Sequence, residues 1–251
     1  MNIALIGYGK MGRMIEKIAQ SRGHRICCII DIDNQDDFNS EAFRSADVAI
    51  EFTAPNAAYK CVSAALDRDV KVVTGTTGWL PEQLEEIRRR CQDDYKTVFR
   101  SSNFSLGVFL FGKLNAWLAR LMNGYESYDV SMSETHHIHK KDAPSGTAIT
   151  LAESIIENLD RKTSWTRGKL VAPNGVTPAP HEPGPQEIAI DSIREGEEVG
   201  THSVSYETAF DTICIRHSLK DRAALAVGAV IAAEFAATHE GWLGMDDMIS
   251  E

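Results

Sequence analysis

Short apolar runs alternate with segments of helical periodicity along the first hundred residues of the chain. Five runs of four to seven mostly apolar residues predict buried strands over 2–6, 26–30, 47–53, 70–74 and 97–100. Between them, apolar residues spaced three and four positions apart predict helices over 11–19 and 57–66, and a charged segment with proline in its first turn predicts a surface helix over 81–93. Strands that alternate with helices form a parallel sheet with right-handed crossovers, and such sheets bind ligands at the C-terminal ends of their strands.

The pattern changes after Phe104, where two-residue alternation replaces the regular repeat. Apolar spacing predicts helices over 105–121, from Ser145 to about residue 159, and over 222–238. Alternation predicts strands over 128–137, 187–194, 199–207 and 212–217, whereas the proline-rich segment 172–186 is predicted to be a loop. Strands this close along the chain pair antiparallel or in a mixed sheet. The sequence therefore predicts an α/β domain over 1–105 and an α+β domain over 106–217 with a mostly antiparallel or mixed sheet.

Glycines follow the first predicted strand at the spacing of a dinucleotide-binding turn. The motif Gly7-x-Gly9-x-x-Gly12 opens a helix, and Asp31 stands 19 positions beyond its last glycine, at the end of the second strand. Residues without a Cβ let the backbone approach a pyrophosphate, which the helix N-terminus stabilises. We therefore predict a Rossmann-like domain that binds NADH or NADPH. Asp31 favours NAD, whereas Lys10 and Arg13 could pair with the 2′-phosphate of NADP; a tight turn that binds nothing is the alternative.

Composition limits the class of partner. The 251-residue chain has a formal net charge of -10, which argues against nucleic acid as the main partner because phosphate neutralisation needs a basic surface. Its five cysteines form no CxxC pair and predict neither a disulfide framework nor a zinc site. No apolar run approaches the roughly 18 residues of a membrane span, and no signal-peptide pattern is visible. We therefore expect a soluble, cytoplasmic protein that acts on a small molecule.

A local cluster of cations interrupts this acidic chain. The run 136–141 (HHIHKK) ends a predicted strand. Ser145 can cap the helix that follows, which leaves the backbone N–H groups of Gly146 and Thr147 for an anion such as a carboxylate, with the ammonium of Lys140 nearby. Adjacent histidines on a strand point to opposite faces, so one imidazole can donate a proton near neutral pH while the other positions a substrate.

Two other interpretations of this cluster involve no acid–base chemistry. Zinc binding by His136, His137 and His139 is disfavoured, because neighbouring strand residues diverge and no acidic or cysteine spacing supports a site. A solvated basic loop is the larger competitor, since runs of charge usually form solvated surfaces. Taken alone, the cluster leaves both the solvated loop and the anion site open.

Longer motifs carry a resemblance to a known family. The segment 134–148 (ETHHIHKKDAPSGTA) closely resembles the signature of the 4-hydroxy-tetrahydrodipicolinate reductase family, also called dihydrodipicolinate reductase. Further segments resemble that family in family order: 7–12 (GYGKMG), 51–55 (EFTAP), 74–78 (TGTTG), 103–108 (NFSLGV), 194–202 (REGEEVGTH) and 241–249 (GWLGMDDMI). The resemblance covers essentially the whole chain. Two departures are a glycine loop one residue shorter than in many members, and Ser101-Ser102 where many members have Ala-Pro or Ala-Ala.

The resemblance implies roles for individual residues. His136 is implied as the proton donor and Lys140 as its cationic partner, both catalytic, while His137, Gly146 and Thr147 are implied to bind the substrate. No metal ligand is implied. The residues implied to bind the dinucleotide are Gly7, Tyr8, Gly9, Lys10, Met11, Gly12, Asp31, Phe52, Thr53, Gly75, Thr76, Thr77, Ser101, Ser102, Asn103 and Phe104.

The implied reaction is the NAD(P)H-dependent reduction of 4-hydroxy-tetrahydrodipicolinate to tetrahydrodipicolinate in the diaminopimelate pathway of lysine biosynthesis. Water leaves the cyclic imine, hydride reaches C4, and His136 supplies a proton, while nearby cations stabilise the charge that builds up beside a dianionic ligand. The resemblance also implies a homotetramer in which the second domain binds substrate and forms the interface. The C-terminal segment 218–251 is expected to pack back on the first domain.

Two alternative functions share the predicted nucleotide domain. An NAD-dependent dehydrogenase of another small imino or carbonyl acid, such as an aspartate dehydrogenase, would not need the dicarboxylate site between Lys140 and Thr147. A non-catalytic regulator that senses NAD(H) would typically carry a DNA-reading module, and the sequence shows no basic helix-turn-helix pattern. The motif at 134–148 favours the reductase over both.

Overall fold

The computed structural model describes residues 1–249, and the segment up to Leu106 forms one compact unit with the chain from Ala223 onward. Its strands, numbered along the chain, are β1 Asn2–Ile6, β2 Arg25–Ile30, β3 Val48–Glu51, β4 Lys71–Thr74, β5 Thr97–Arg100 and β12 Gly241–Leu243. All pair in parallel, in the order β12-β5-β4-β3-β1-β2. The strand order reverses between β1 and β3, which creates a crevice for ligands at the C-terminal edge of the sheet.

Helices cover this parallel sheet. They are α1 Lys10–Ser21, α2 Glu41–Arg44, α3 Pro55–Leu66, α4 Pro81–Asp93, α7 Ala223–Thr238 and α8 Met245–Met248, with a 3-10 helix over Ile32–Asn39. Proline begins α3 and α4, where its missing N–H would have had no partner within the helix. Helix α7 packs across β3, β4 and β5 and against α1. The C-terminal part of the chain thereby completes the core of the first unit.

Two glycines let helices approach neighbouring backbone closely. A Cβ at Gly12 would lie 2.3 Å from the carbonyl oxygen of Gly7, and a Cβ at Gly228 would lie 1.7 Å from that of Phe104. Neither distance is possible for a real side chain, so both positions require glycine. The start of α1 and the middle of α7 are therefore held against the turns that follow β1 and β5.

Residues 107–222 form a second compact unit. Its elements are α5 Leu106–Met122, β6 Asp129–His136, α6 Gly146–Ile156, β7 Ser164–Ala172, β8 Gly175–Thr177, β9 Glu187–Arg194, β10 Gly200–Glu207 and β11 Thr212–Leu219. The sheet order is β11-β10-β6-β9-β7-β8; β9 runs parallel to β6 and β7, and the other pairs are antiparallel. Alternation buries one face of this sheet against α5 and α6.

The predicted fold class is confirmed: a parallel α/β sheet precedes a mixed sheet in an α+β arrangement. The loop predicted over 172–186 is wrong at its start, because β8 pairs with β7 there. The sequence analysis also missed β7, β8, β12, α2, α8 and the 3-10 helix. Strand β7 carries charged residues and a glycine, Gly168, and has no apolar run that would predict a strand. It forms through its pairing with β9. The two strands approach so closely that a Cβ at Gly168 would lie 2.1 Å from a carboxylate oxygen of Asp191.

The structure divides the chain after residues 106 and 222, whereas the sequence predicts boundaries after 105 and 217. Residues 250 and 251, which end the predicted returning segment, lie outside the described residues. Among the helices found within 1–249, none is long and apolar enough to cross a membrane.

Candidate functional site

A cavity of about 540 Å³ opens at the C-terminal edge of the parallel sheet. Its volume lies within the usual range of small-molecule pockets, about 300–1,000 Å³. The residues around it come from the ends of β1, β2 and β3 and the segments that follow them: Ile6, Gly7, Tyr8, Gly9, Ile30, Asp31, Ile32, Gln35, Phe52, Thr53, Ala54, Asn56, Ala57 and Cys61.

The residues at this cavity fit a dinucleotide. Gly7 has a φ of +88°, and a Cβ there would lie 2.2 Å from the carbonyl oxygen of Phe52, so only glycine can form this turn. Gly9 is the N-cap of α1, and no side chain caps that helix end. The first N–H groups of α1 are therefore available to a phosphate. Asp31 lies exposed at the end of β2, where an acidic residue accepts hydrogen bonds from a ribose.

The predicted cofactor residues divide into two sets. Six of them line the cavity: Gly7, Tyr8, Gly9, Asp31, Phe52 and Thr53. The others lie in the first turn of α1 (10–12) and in the segments after β4 (75–77) and β5 (101–104). Phe104 is buried, with its ring centroid 5.7 Å from that of Phe52, and thus supports a wall of the cavity from behind.

A buried carboxylate joins the ends of β3 and β4. Glu51, the last residue of β3, is 0% exposed. Its Oε1 accepts hydrogen bonds from the backbone N–H of Thr53 (2.7 Å) and from the hydroxyls of Thr53 (2.5 Å) and Thr76 (2.7 Å). Its Oε2 accepts from the hydroxyl of Thr74. All four donors to Glu51, one backbone N–H and three threonine hydroxyls, are electrically neutral.

The second unit contains a different buried carboxylate. We call Glu134, His136, Ser145, Ser192, Arg194 and His202 the Glu134 cluster; all six are buried. Nδ1 of His136 lies 2.7 Å from Oε2 of Glu134, and the guanidinium of Arg194 donates to Oε1 at 2.8 Å. The same guanidinium donates to the carbonyl oxygens of Asp142 and Ile193, both at 2.7 Å.

Strand register assembles this cluster. Glu134 in β6 lies opposite Ser192 of β9 on one side and His202 of β10 on the other. His136, two residues further along β6, lies opposite Arg194. Because side chains two residues apart share a face of a strand, all five point towards the buried side of the sheet. Ser145 joins them from the N-terminus of α6.

The surroundings of these groups shift two pKa values. Burial raises the pKa of Glu134, but the neighbouring His136 imidazole, the Arg194 guanidinium and the hydroxyls of Ser145 and Ser192 outweigh it and hold that pKa well below its usual value. Burial lowers the pKa of His202 to about 4, and the charges of His136 and other nearby cations act in the same direction. Glu134 is therefore an ionised carboxylate and His202 a neutral imidazole at neutral pH.

The geometry leaves one nitrogen of His136 for chemistry. Nδ1 is held by Glu134, and a Cβ at Gly200 would lie 3.0 Å from Nε2. Any larger residue at position 200 would crowd that nitrogen. His136 thus has the arrangement of a histidine whose Nε2 can exchange a proton while a carboxylate fixes its orientation.

Two of the predicted substrate-binding residues, Gly146 and Thr147, are the first two residues of α6. The Ser145 hydroxyl accepts from the backbone N–H of Ala148 at 3.2 Å and caps the helix, as predicted. Gly146 is exposed, with no atom within 4 Å of a hypothetical Cβ, and as the first residue of α6 its N–H has no partner within the helix. Lys140 lies 2.8 Å from a carboxylate oxygen of Asp142. His137 is half-buried, and its ring centroid is 6.0 Å from that of His139.

Glu134, His136 and His202 also offer ligand atoms within 4.8 Å of one another, a spacing that a metal ion could use. The charges argue against that interpretation. The Arg194 guanidinium already occupies Oε1 of Glu134 and would repel a cation, and Nε2 of His202 lies 3.1 Å from the Ser145 hydroxyl. The cluster is therefore better described as a hydrogen-bond network than as a metal centre.

Sequence reasoning did not select Glu51, Glu134, Arg194 or His202 as site residues. For Glu51 the available signal was a charge inside an otherwise apolar strand, since a buried acid in a parallel sheet needs partners. For Arg194 and His202 it was their position on the buried face of alternating strands. Their common partner, however, follows only from the register of β6, β9 and β10.

Comparisons with known proteins cover the whole described chain. The family model described as dihydrodipicolinate reductase, N-terminus, matches residues 1–104, and the one described as dihydrodipicolinate reductase, C-terminus, matches 107–249. This chain belongs to the dihydrodipicolinate reductase family. Membership makes it an NAD(P)H-dependent oxidoreductase with a Rossmann-type cofactor domain.

Individual members of the dihydrodipicolinate reductase family show the same relationship. The chain is 41% identical to the 4-hydroxy-tetrahydrodipicolinate reductase of Christiangramia forsetii, over 100% of this chain and 98% of that protein. It is 33% identical to the enzyme of the same name from Clostridium novyi, over 96% and 94% of the two chains. The dipicolinate-bound dihydrodipicolinate reductase from Paenisporosarcina sp. TG-14 has the same fold, with a TM-score of 0.78 and 21% identity over 100% and 99% of the two chains.

Proposed function

We propose that this chain reduces 4-hydroxy-tetrahydrodipicolinate to tetrahydrodipicolinate with NADH or NADPH, in the diaminopimelate route of lysine biosynthesis. The observation that carries the proposal is the Glu134–His136 pair, 2.7 Å apart beside the start of α6, in a chain that the reductase family models match from end to end. An oriented imidazole next to free helical N–H groups is suited to an anionic substrate that must be protonated.

Substrate binding follows from local charge. The substrate is a ring with two carboxylates, and the protein as a whole carries a net charge of -10. The N–H groups of Gly146 and Thr147 at the start of α6 and the ammonium of Lys140 bind one carboxylate, and His137 contributes from the position that follows β6. These groups make the electrostatic potential positive at this site, although the protein as a whole is negatively charged.

The reaction needs a hydride and a proton. When bound at the C-terminal edge of the parallel sheet, the reduced cofactor would supply hydride to C4 of the ring after the substrate has lost water. Electron density moves to the ring nitrogen, and C3 of the resulting enamine takes a proton from Nε2 of His136. Oε2 of Glu134, 2.7 Å from Nδ1 of His136, fixes the orientation of the ring while Nε2 gives up its proton. Lys140 stabilises the charge that develops beside the dianion.

We also propose that NADH is the better cofactor. Asp31 lies at the cavity, and three further aspartates follow within six residues, at 33, 36 and 37. The 2′-phosphate of NADPH would meet these carboxylates, whereas the ribose hydroxyls of NADH can donate to Asp31. The two cations that could pair with a 2′-phosphate, Lys10 and Arg13, lie exposed on α1.

The direct test follows the absorbance of the reduced cofactor while a coupled reaction supplies the cyclic imine. We expect imine-dependent oxidation of the cofactor, with kcat/KM for NADH above that for NADPH. A matched Asp31→Asn variant should narrow the difference between the two cofactors. A flat trace from a folded protein that binds NADH would refute the reaction, and a preference for NADPH would refute the role of Asp31.

A further inference from the structure

We infer that Asp142 is a positioning residue for Lys140: its carboxylate holds the Lys140 ammonium, while its backbone carbonyl binds to the Glu134 cluster. The inference rests on the proposed function, because it takes Lys140 and the start of α6 to bind a dicarboxylate. It places an acidic residue at a site for an anion, and that residue acts through a lysine rather than on the substrate.

A continuous series of polar contacts connects the two residues predicted to be catalytic. Nδ1 of His136 lies 2.7 Å from Oε2 of Glu134, whose Oε1 accepts from Arg194 at 2.8 Å. Arg194 also donates to the carbonyl oxygen of Asp142 at 2.7 Å, and the carboxylate of Asp142 accepts from Lys140 at 2.8 Å. Asp142 is therefore the residue that connects the Lys140 ammonium to this series.

The hydrogens in these contacts can be counted. Both bonds from Arg194 start at Nη2, which has two hydrogens, so Glu134 and the Asp142 carbonyl use both of them. The Lys140 ammonium has three hydrogens, of which one points to Asp142. The other two can point to a ligand carboxylate, in directions that the bond to Asp142 restricts.

Lys140 needs such a contact because of its place in the chain. It lies between the end of β6 at His136 and the start of α6 at Gly146, in a segment without helix or strand. A lysine side chain has several rotatable bonds and loses conformational entropy when it is fixed. The Lys140 side chain is nevertheless only 20% exposed, and its ammonium holds the pKa of Asp142 below its usual value. Its freedom is thus already restricted before a substrate binds.

A carboxylate beside an anion site also has an opposing effect, because it repels the two carboxylates of the substrate. The Asp142 side chain is 59% exposed, so water screens its charge at a distance. Its contact with Lys140 is direct, at 2.8 Å. We therefore expect the gain from positioning Lys140 to exceed the loss from repulsion. The two effects change the affinity for a dianion with opposite signs, so an experiment can separate them.

The test uses pyridine-2,6-dicarboxylate, an aromatic ring with two carboxylates, as the probe. Its dissociation constant is measured by calorimetric titration of the full chain in the presence of NADH, so the readout does not depend on turnover. We expect Asp142→Ala to weaken binding by roughly three- to tenfold, the range for one partly exposed charged contact. Asp142→Asn keeps an acceptor oxygen and should weaken binding less. Repulsion alone would make both variants bind more tightly.

A double-mutant cycle separates positioning from structural support. In a Lys140→Met background there is no ammonium to hold, so Asp142→Ala should change the dissociation constant by about twofold or less. In a Lys141→Met background, which lacks the adjacent exposed ammonium instead, Asp142→Ala should keep its full effect. Asp93→Ala is the matched control, because that side chain is also 59% exposed and ion-paired, with Arg89 on α4. It should leave binding unchanged.

The outcomes distinguish this inference from the proposed reaction. Tighter or unchanged binding in Asp142→Ala overturns the inference, even if the wild-type protein turns over the cyclic imine. Equal weakening in the wild-type and Lys140→Met backgrounds overturns it as well, since Asp142 would then support the loop as a whole. An effect that depends on Lys140, in a protein without imine turnover, supports the inference and refutes only the reaction. Failure of the wild-type protein to bind the dicarboxylate overturns the inference directly, whereas imine turnover alone decides the reaction.

Discussion

Each unit of the protein buries one glutamate near the end of a central strand, and the two carboxylates have opposite surroundings. Glu51 of β3 accepts hydrogen bonds from a backbone N–H and three hydroxyls, all neutral. Glu134 of β6 lies 2.8 Å from the guanidinium of Arg194 and 2.7 Å from the imidazole of His136. Both side chains are almost completely removed from water.

The difference shows two uses of a buried charge. Neutral hydroxyls can rotate, so a carboxylate among them fixes the direction in which they donate and leaves a defined acceptor surface. Cationic partners cannot reverse their polarity, so a carboxylate among them balances charge and orients a titratable ring. On this comparison, replacing the partners of Glu134 affects proton transfer and stability, whereas replacing those of Glu51 affects ligand recognition.

The largest expected effect concerns the imidazole beside Glu134. His136→Ala should lower kcat by about 10²–10⁴-fold, the usual contribution of a general acid, because Nε2 can no longer deliver a proton. Thr53→Val, beside Glu51, should mainly raise KM for the cofactor and change kcat only a few-fold. Steady-state kinetics with both substrates varied measures the contrast. His139→Ala serves as the control, since this ring is mostly exposed. A normal kcat in His136→Ala would move the proton donor elsewhere.

A smaller effect, on the free energy of unfolding, is expected when the cationic partner of Glu134 or the charge of Glu51 is removed. Arg194→Met leaves Glu134 buried without its guanidinium and should cost about 3–5 kcal/mol in the free energy of unfolding. Glu51→Gln should cost less, about 1–3 kcal/mol, because the glutamine oxygen can keep the bond from the Thr53 N–H while only the Thr74 hydroxyl has to turn. Urea denaturation measures both. Arg89→Met is the control: the Arg89–Asp93 pair is exposed on both sides, so about 0–1 kcal/mol is expected. Equal costs for Arg194→Met and Arg89→Met would contradict the comparison.

The smallest of the three effects is a pH dependence of stability. The pKa of His202 is about 4 in the folded protein and about 6.5 in an unfolded chain. Between these values the unfolded state binds more protons, so stability is full above about pH 6.5 and falls as the pH drops towards 4, by roughly 3 kcal/mol in total. The depressed pKa of Glu134 adds a loss that begins only below about pH 4.5.

Unfolding free energies measured from pH 7 to pH 4 test this window. His202→Asn should flatten the curve between pH 6.5 and 4 and leave the Glu134 contribution at lower pH. His181→Asn is the control, because that imidazole is about half exposed. A curve for His202→Asn that falls as steeply as that of the wild type would show that the His202 imidazole is not the buried neutral group described here.

The sequence by itself determined the elements and the chemistry available to them. Apolar runs predicted β1 to β5, the glycine motif predicted the turn before α1, and alternation in β6 put Glu134 and His136 on the same face of that strand. These features are local, because a helix or strand period is set by residues a few positions apart.

Only the tertiary structure decided which residues these buried side chains contact. Glu134 is 60 residues from Arg194, Ser145 is 57 from His202, and Glu51 is 25 from Thr76. Each contact depends on which strands are neighbours and in which register, and a shift of one residue would turn the side chain to the other face. Strand β7 shows the same limit, since its charged, glycine-containing sequence becomes a strand only through its pairing with β9. The residues that carry charge can be read along the chain; whether a buried carboxylate meets hydroxyls or a guanidinium is set by the packing of distant strands.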